Sequence, residues 1–375
     1  MKKLSIVLPC YNVATYMRPC IESIIGNTSP RNKERCEIII VNDGATDNTE
    51  EVAKSLISEH NDWDIVYKLF ENGGVSKARN RGLSIAQGEY VWFVDPDDNV
   101  REDGIEKILE ILDTNENIDA INFGFNVSWF STSEEQFEHI ANTFVEHTPA
   151  LYSHEKLYER LIPFLMGYAQ KDIDRFFSGG KLFEPNDFLI CKTAWQMVLK
   201  RQIIKDHNLG FREGMKMKED SMFVLQYLSI CNNVFITKEP LYYYYVRKTG
   251  CSIKANDNIE ELCTNKKQVI EEKINAAKRL EKRGYKNARL LFDGSIVLSG
   301  LEIIVKAAAN GWQSYSFAKQ FCHEKYFKES ISRLNFSHAP FKFRIPLYLL
   351  KYKQVRLLFG LLRFVQKLGI KATAV

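Results

Sequence analysis

Tyr90-Val91-Trp92-Phe93-Val94-Asp95-Pro96-Asp97-Asp98-Asn99 carries an apolar strand straight into three carboxylates. Hard divalent cations such as Mg²⁺ and Mn²⁺ take oxygen ligands, often only one or two carboxylates beside the phosphates of a nucleotide. Acids on a rigid strand end therefore suit a metal–diphosphate complex, although Asp, Pro and Asn also build ordinary turns. Just upstream, Asn72-Gly73-Gly74 leads into the basic run Val75-Ser76-Lys77-Ala78-Arg79-Asn80-Arg81-Gly82. Glycines entering a helix favour an anion at its N-terminus, and Lys77, Arg79 and Arg81 add charge that can meet phosphate or a base edge. A solvated basic helix face has the same look, and neither GxGxxG nor GxxxxGK(S/T) is present. In the second half, Glu219 and Asp220 stand together at the head of a helical pattern through Phe223, Val224, Tyr227 and Leu228, where acids also complement the helix dipole.

These residues need a frame, and the chain supplies one. Leu4 to Pro9 and Glu37 to Val41 are apolar, largely β-branched runs that end in polar clusters, Tyr11-Asn12 and Asn42-Asp43-Gly44. Met17, Ile21, Ile24 and Ile25 mark a helix between them; Val52, Leu56 and Ile57 mark the next, capped by Asp47, Asn48 or Thr49. Ile65 to Leu69 makes a third strand. Continuously apolar strands alternating with helices predict a parallel sheet covered on both faces, with ligands beyond the carboxyl ends of the strands. Tyr11-Asn12, Asn42-Asp43-Gly44 and Asp95 to Asn99 all lie at such ends. A nicotinamide-dependent oxidoreductase is disfavoured, because the turn after the first strand is Pro9-Cys10-Tyr11-Asn12 and is not glycine-rich.

Together, four ordered motifs resemble the family 2 glycosyltransferases, the large inverting group with a GT-A fold. Ser5 to Asn12 is similar to that family's opening strand, Ile40 to Thr49 to its base-binding segment, Gly74 to Gly82 to its A-R-N-x-G helix, and Val94 to Asp98 to its DxD motif. The likeness covers roughly the first hundred residues. It implies an α/β fold, a Rossmann-like, mostly parallel nucleotide-binding sheet flanked by helices, here with a C-terminal helical extension. It implies that Pro9, Tyr11, Asn12, Asp43 and Gly44 bind the nucleotide, with Tyr11 stacked on uracil and Asp43 accepting its ring N–H. Lys77 and Arg79 would face the base or diphosphate, Asp95 the ribose and metal, and Asp97 would hold Mn²⁺ or Mg²⁺, with Asp98 a second candidate ligand. Ala45 replaces the serine more usual after the Asp-Gly pair.

In the second half, Phe211 to Phe223 resembles the family's Glu-Asp segment, which implies Asp220 as general base and Glu219 as its runner-up. Pro240 to Ser252 looks like the family's Tyr-rich strand, and Arg247 would reach the donor diphosphate. Strand alternation turns half of Tyr242 to Tyr245 into the core. Trp195, in a Trp-containing segment like that of polysaccharide-building members, is more often core than a sugar platform. The implied partners are a UDP-sugar and a saccharide or lipid-linked saccharide acceptor. A protein of the same fold that binds nucleotide or scaffolds without catalysis is the alternative.

The 375 residues, 45% hydrophobic and 26% charged, suffice for one large domain or two smaller ones. The expected divisions are 1–125 for the nucleotide half, 126–255 for the acceptor half with the base, 256–330 for a helical extension and 331–375 for a basic amphipathic tail. Residues 128–148 read as a loop. The eight cysteines show no metal or disulfide spacing and read as reduced thiols. Met1-Lys2-Lys3 precedes an apolar run too short for a signal peptide, which predicts a cytoplasmic protein. From Arg333 onward acids vanish, while lysines and arginines interleave with leucine and phenylalanine; the net charge of +4 conceals this. Such a tail predicts peripheral binding to the inner face of the cytoplasmic membrane, rather than nucleic acid, or else a terminal helix packed on the domain.

Overall fold

The structure, a computed structural model, describes residues 2–129, 137–140, 149–178, 193–247 and 258–368. The chain divides into two compact units, Met1–Tyr158 with Pro185–Ile253, and Glu159–Glu184 with Lys254–Val375.

The first unit is built on one sheet of β1 (Leu4–Cys10), β2 (Cys36–Asn42), β3 (Ile65–Leu69), β4 (Tyr90–Phe93), β5 (Asn99–Val100), β6 (Ala120–Trp129), β7 (Phe137–Ile140), β8 (Ala150–Ser153), β9 (Met197–Lys200) and β10 (Asn233–Val246). The order is β3-β2-β1-β4-β9-β6-β10-β5, with β7 on β6 and β8 on β10. β1 to β4 run parallel to one another, β9 runs antiparallel to both β4 and β6, and β10 runs parallel to β6. Every residue of β1 and β2 is buried, which is why both read as unbroken apolar runs. Because β1 lies between β2 and β4, the chain reverses its winding there, and such a switch opens a crevice at the carboxyl ends of the strands.

The anticipated nucleotide and acceptor halves share this sheet, since β6, β9 and β10 continue it past β4. The expected loop 128–148 is interrupted: β6 reaches Trp129 and residues 137–140 return beside it as β7. The rest of that loop, Cys191, Cys251 and the segment 248–257 lie outside the described residues. The six described cysteines are free thiols. Trp195 sits in a 3₁₀ turn before β9, buried and stacked on Tyr242 at 4.5 Å and Tyr244 at 5.4 Å. Tyr242 and Tyr244 thus share the core face, as alternation along β10 requires.

The second unit is helical. Ile259–Lys282 is capped by Asn258, whose side chain accepts from the Glu260 and Glu261 N–H groups. Asp293, at the start of Asp293–Asn310, is buried and pairs with Arg333 at 2.6 Å and with the Ser330 hydroxyl at 2.7 Å. The tail does not stand apart from this unit. It forms two helices, Phe341–Lys351 and Val355–Lys367, separated at Tyr352-Lys353-Gln354, where Lys353 takes a φ of 62°. Phe359 packs between Trp312 and Tyr315, and the Arg363 guanidinium donates to the Ala308 carbonyl at 2.7 Å. Among the described residues no helix is long and apolar enough to cross a membrane.

Candidate active site

The carboxyl ends of β1 and β2 are tied together by their own polar residues. Asn12, at φ 54°, accepts the Thr46 N–H at 2.7 Å, and the Asp43 N–H donates to the Cys10 carbonyl at 2.8 Å. Asp47 accepts from the Ala14 and Thr49 N–H groups, so it braces the helix Ala14–Ile25, whereas Asn48 occupies the expected capping position without a side-chain bond. Tyr11 is left 50% exposed directly after β1, its ring available for stacking.

Asp43 is buried, and its carboxylate gathers three donors: the Gly73 N–H at 3.0 and 3.1 Å, the Gly74 N–H at 2.7 Å, and Arg81 Nη1 at 2.7 Å. Each carboxylate oxygen thus takes two contacts, the Gly73 N–H being shared between them. Gly44, at φ +73°, lets the Asn72 backbone approach where a Cβ would stand 2.8 Å from the Asn72 nitrogen. Arg81, counted among the charges for phosphate, instead lies on Asp43 and over the Phe70 ring at 4.5 Å. Lys77 is half-buried and makes no hydrogen bond or ion pair among the described residues.

After β4, Asp95 to Asp98 form a turn closed by the Asp98 N–H to the Asp95 carbonyl at 3.0 Å. The Tyr242 hydroxyl holds it from β10, accepting the Asp95 N–H at 3.2 Å and donating to Asp98 Oδ2 at 2.9 Å. The other Asp98 oxygen accepts the Tyr245 N–H at 2.9 Å. Buried and doubly bonded, Asp98 faces the fold, which argues against the metal-ligand role considered for it. Burial first, and then the charges of Asp97 and Asp95, push its carboxyl well above the usual range. Asp97 points the other way and is partly exposed, with Arg247 Nε 3.5 Å from Oδ2 and an Arg247 Nη2 donating to its backbone carbonyl. Burial and the Asp95 charge raise its pKa too. The Arg247 guanidinium lies over the Tyr16 ring, 3.9 Å from its centroid.

Arg79 joins this turn to the second half of the chain. Its side chain is only 5% exposed; Nη2 bonds Asp95 at 2.9 Å and Nη1 bonds Glu219 at 3.0 Å. Sequence placed it toward base or diphosphate, but its two terminal nitrogens are committed to these carboxylates. Burial works against its charge, yet Asp95 and Glu219 outweigh this and hold the guanidinium protonated. The neighbouring Asn80 clamps the same segment in both directions, donating to the Phe211 carbonyl and accepting the Phe211 N–H, each at 2.8 Å. Phe211 then stacks on Phe223 at 4.1 Å and supports Arg79 at 5.2 Å. Asn80 and Tyr242 fall inside the A-R-N-x-G and Tyr-rich motifs, but nothing in the local sequence announced their partners, which lie far along the chain.

Glu219 and Asp220 occupy the first turn of Glu219–Leu228, entered through Lys218 at φ 67°. Glu219 is held by Arg79, while the Asp220 bonds are local, from the Ser221 N–H at 2.6 Å and hydroxyl at 3.4 Å. Burial, followed by the Glu219 charge, pushes Asp220 up to about 7 against the opposing pull of Arg79. A carboxyl so tuned exchanges protons near neutrality, as a general base requires.

Among the described residues no three His, Cys, Asp or Glu side chains form a metal cage of their own. Asp95 and Asp97 nevertheless suit Mg²⁺ or Mn²⁺. Asp95 Oδ2 has no hydrogen-bond partner among the described residues, and Asp97, its pKa raised by burial and then by the Asp95 charge, would be relieved by a cation that completes its shell with phosphate oxygens.

The polar clusters after β1 and β2, the acidic turn after β4 and the Glu219-Asp220 pair are thus brought together on one sheet unit. Residues 5–177 match the profile described as Glycosyl transferase family 2, and the chain belongs to that family. It is 32% identical over 261 residues to the minor teichoic acid biosynthesis protein GgaB of Bacillus subtilis (strain 168), covering 68% of this chain and 24% of that one. It is 30% identical over 251 residues to the glycosyltransferase GlyA of Streptococcus pneumoniae serotype 4, covering 67% and 31%. The chain thus spans about a quarter to a third of these relatives' lengths. The fold is similar to the crystal structure of S. aureus TarS 1-349 in complex with UDP-GlcNAc, with a TM-score of 0.62 at 15% identity over 99% of this chain and 93% of that one.

Proposed function

We propose that the chain is an inverting, metal-dependent glycosyltransferase that moves a sugar from a UDP-sugar to a hydroxyl of a growing surface polysaccharide or lipid-linked oligosaccharide. The observation that carries this is the Asp95–Arg79–Glu219 bridge, which fixes the acidic turn and the base-bearing helix in one frame. Relatives that act in cell-wall polymer synthesis by name, and a neighbour of the same fold crystallised with UDP-GlcNAc, support the donor and acceptor classes.

Tyr11 stacks on the uracil and Asp43 accepts the ring N–H, with Pro9, Asn12 and Gly44 shaping that pocket. Asp97 and Asp95 would hold Mn²⁺ or Mg²⁺, whose charge stabilises the departing nucleoside diphosphate. Lys77 and Arg247 supply further positive charge to the diphosphate. Asp220 takes the proton of the acceptor hydroxyl as its oxygen bonds to the anomeric carbon and the bond from that carbon to diphosphate breaks; Glu219, held by Arg79, positions it. Asp98 is left out of the ligand set because it is buried against β10, with its oxygens on Tyr242 and Tyr245, while Asp97 is partly exposed. The enzyme works in the cytoplasm, peripherally on the inner face of the membrane, where a lipid-linked acceptor is found.

Calorimetric titration of UDP, GDP and dTDP with and without Mn²⁺, repeated with Asp97→Ala and Asp43→Ala, tests the donor side. Metal-dependent binding of UDP alone, weakened in both variants, is the expected result, and folded protein that binds none of the three would remove the basis for the proposal. UDP binding without turnover of any UDP-sugar would favour the non-catalytic alternative.

A further inference from the structure

The helix Val355–Lys367 carries two apolar stripes. Val355, Leu358, Phe359 and Leu362 are buried within the helical unit. Leu357, Leu361, Phe364 and Leu368 recur at steps of four, three and four residues on another face and are 42% to 60% exposed. Phe341–Lys351 repeats the plan: Leu347 and Leu350 are buried, while Phe341, Ile345 and Tyr352 follow at helical spacing and stand 38% to 73% exposed. A stripe serving only the core would leave polar residues outside. Here large apolar side chains are exposed on both helices as well, and such surface marks a contact with something beyond the chain.

The charges around the stripes indicate what that contact is. No acidic residue occurs from Leu334 to Leu368, while Lys342, Lys353, Arg356 and Lys367 are exposed beside the apolar side chains. A nucleic acid would be met by cations without a leucine stripe. A bilayer with anionic headgroups satisfies both at once, taking leucine and phenylalanine into the acyl boundary and pairing lysine and arginine with phosphate.

We propose that the outer stripes of Phe341–Lys351 and Val355–Lys367 form one docking surface for an anionic lipid bilayer. This gives a structural origin to the peripheral location proposed above and rests on it, but not on the transfer chemistry. The inner stripes anchor both helices to the helical unit, so the surface exists before a membrane is met and needs no folding on arrival.

Flotation of the full-length protein with vesicles of phosphatidylcholine alone, or mixed with phosphatidylglycerol, tests the surface. Two variants accompany it, Leu361→Gln/Phe364→Gln for the stripe and Lys353→Gln/Arg356→Gln/Lys367→Gln for the charge. The wild type is expected on the anionic vesicles and not on the neutral ones. The stripe variant should bind at least about tenfold more weakly, from lost apolar burial. The charge variant should lose roughly a hundredfold, at about 1 kcal/mol per basic residue. Melting temperature and UDP affinity should be unchanged in both.

Wild-type protein that ignores anionic vesicles would overturn the surface and the peripheral location together. Wild-type binding that the stripe variant retains in full would overturn the surface alone. A dimer in sedimentation, abolished by the stripe substitutions and unaccompanied by vesicle binding, would assign the stripes to a second copy of the chain and overturn the lipid proposal.

Discussion

The sheet unit and the helical unit treat their conspicuous side chains in opposite ways. In the sheet unit Arg79, Arg81, Asp43, Asp98 and Glu219 are bound to one another or to backbone, so much of what looks available in the sequence is already engaged. In the helical unit the exposed leucines and phenylalanines of the last two helices have no such closure. Preorganised charge costs little further reorganisation when a ligand arrives, whereas an uncovered apolar stripe has its main consequence outside the chain.

Removing the base tests the first half of this contrast most severely. Asp220→Asn should lower kcat by about 10²–10⁴-fold while UDP affinity measured by calorimetry stays near wild type. The wild-type rate should rise with pH through about 7, since Asp220 acts only after losing its proton. Because Arg79 opposes that upward shift, Arg79→Gln should move the limb to higher pH; a limb that stays in place would separate Arg79 from the base.

Arg79→Ala should also cost stability, about 3–5 kcal/mol in urea unfolding, because it strands carboxylates whose charges were paired within the fold. A loss under 1 kcal/mol would mean that solvent already shields the bridge. The stripes divide in the same measurement. Phe359→Ala should cost about 3–5 kcal/mol as a buried truncation. Gly82→Ala, whose Cβ would fall 2.2 Å from Val7 Cγ1, should cost about 1–3 kcal/mol by overpacking helix against strand. Phe364→Gln should stay within about 0.5 kcal/mol, and a larger loss would show that the outer stripe is internal after all.

What could be foreseen divides along the same line. β1 and β2 were legible because a strand buried on both faces has no choice but to be apolar, and the polar residues that follow stand out against it. β5 and β8 were not, since two to four residues are too few to display alternation. The acids at the end of β4 were visible as a cluster, but their division of labour was not. Asp97 and Asp98 are neighbours of one type, and only Tyr242 and Tyr245, far along the chain, make one structural and leave the other exposed. Arg79 could be seen as a charge near a helix start, while its partner Glu219 lies 140 residues away and no local spacing encodes that pairing. In the tail, the count of leucines foretold amphipathicity but not that one helix would carry two stripes.

The two-way amide clamp of Asn80 on Phe211 has a consequence for substrate size. It ties the glycine-led basic helix to the chain entering Glu219–Leu228, so these two elements cannot move apart without breaking both hydrogen bonds. On the proposed function, a bulkier substrate would be accommodated by the surrounding loops and not by spreading these two elements, and exchanging those loops should change the product with the clamp intact.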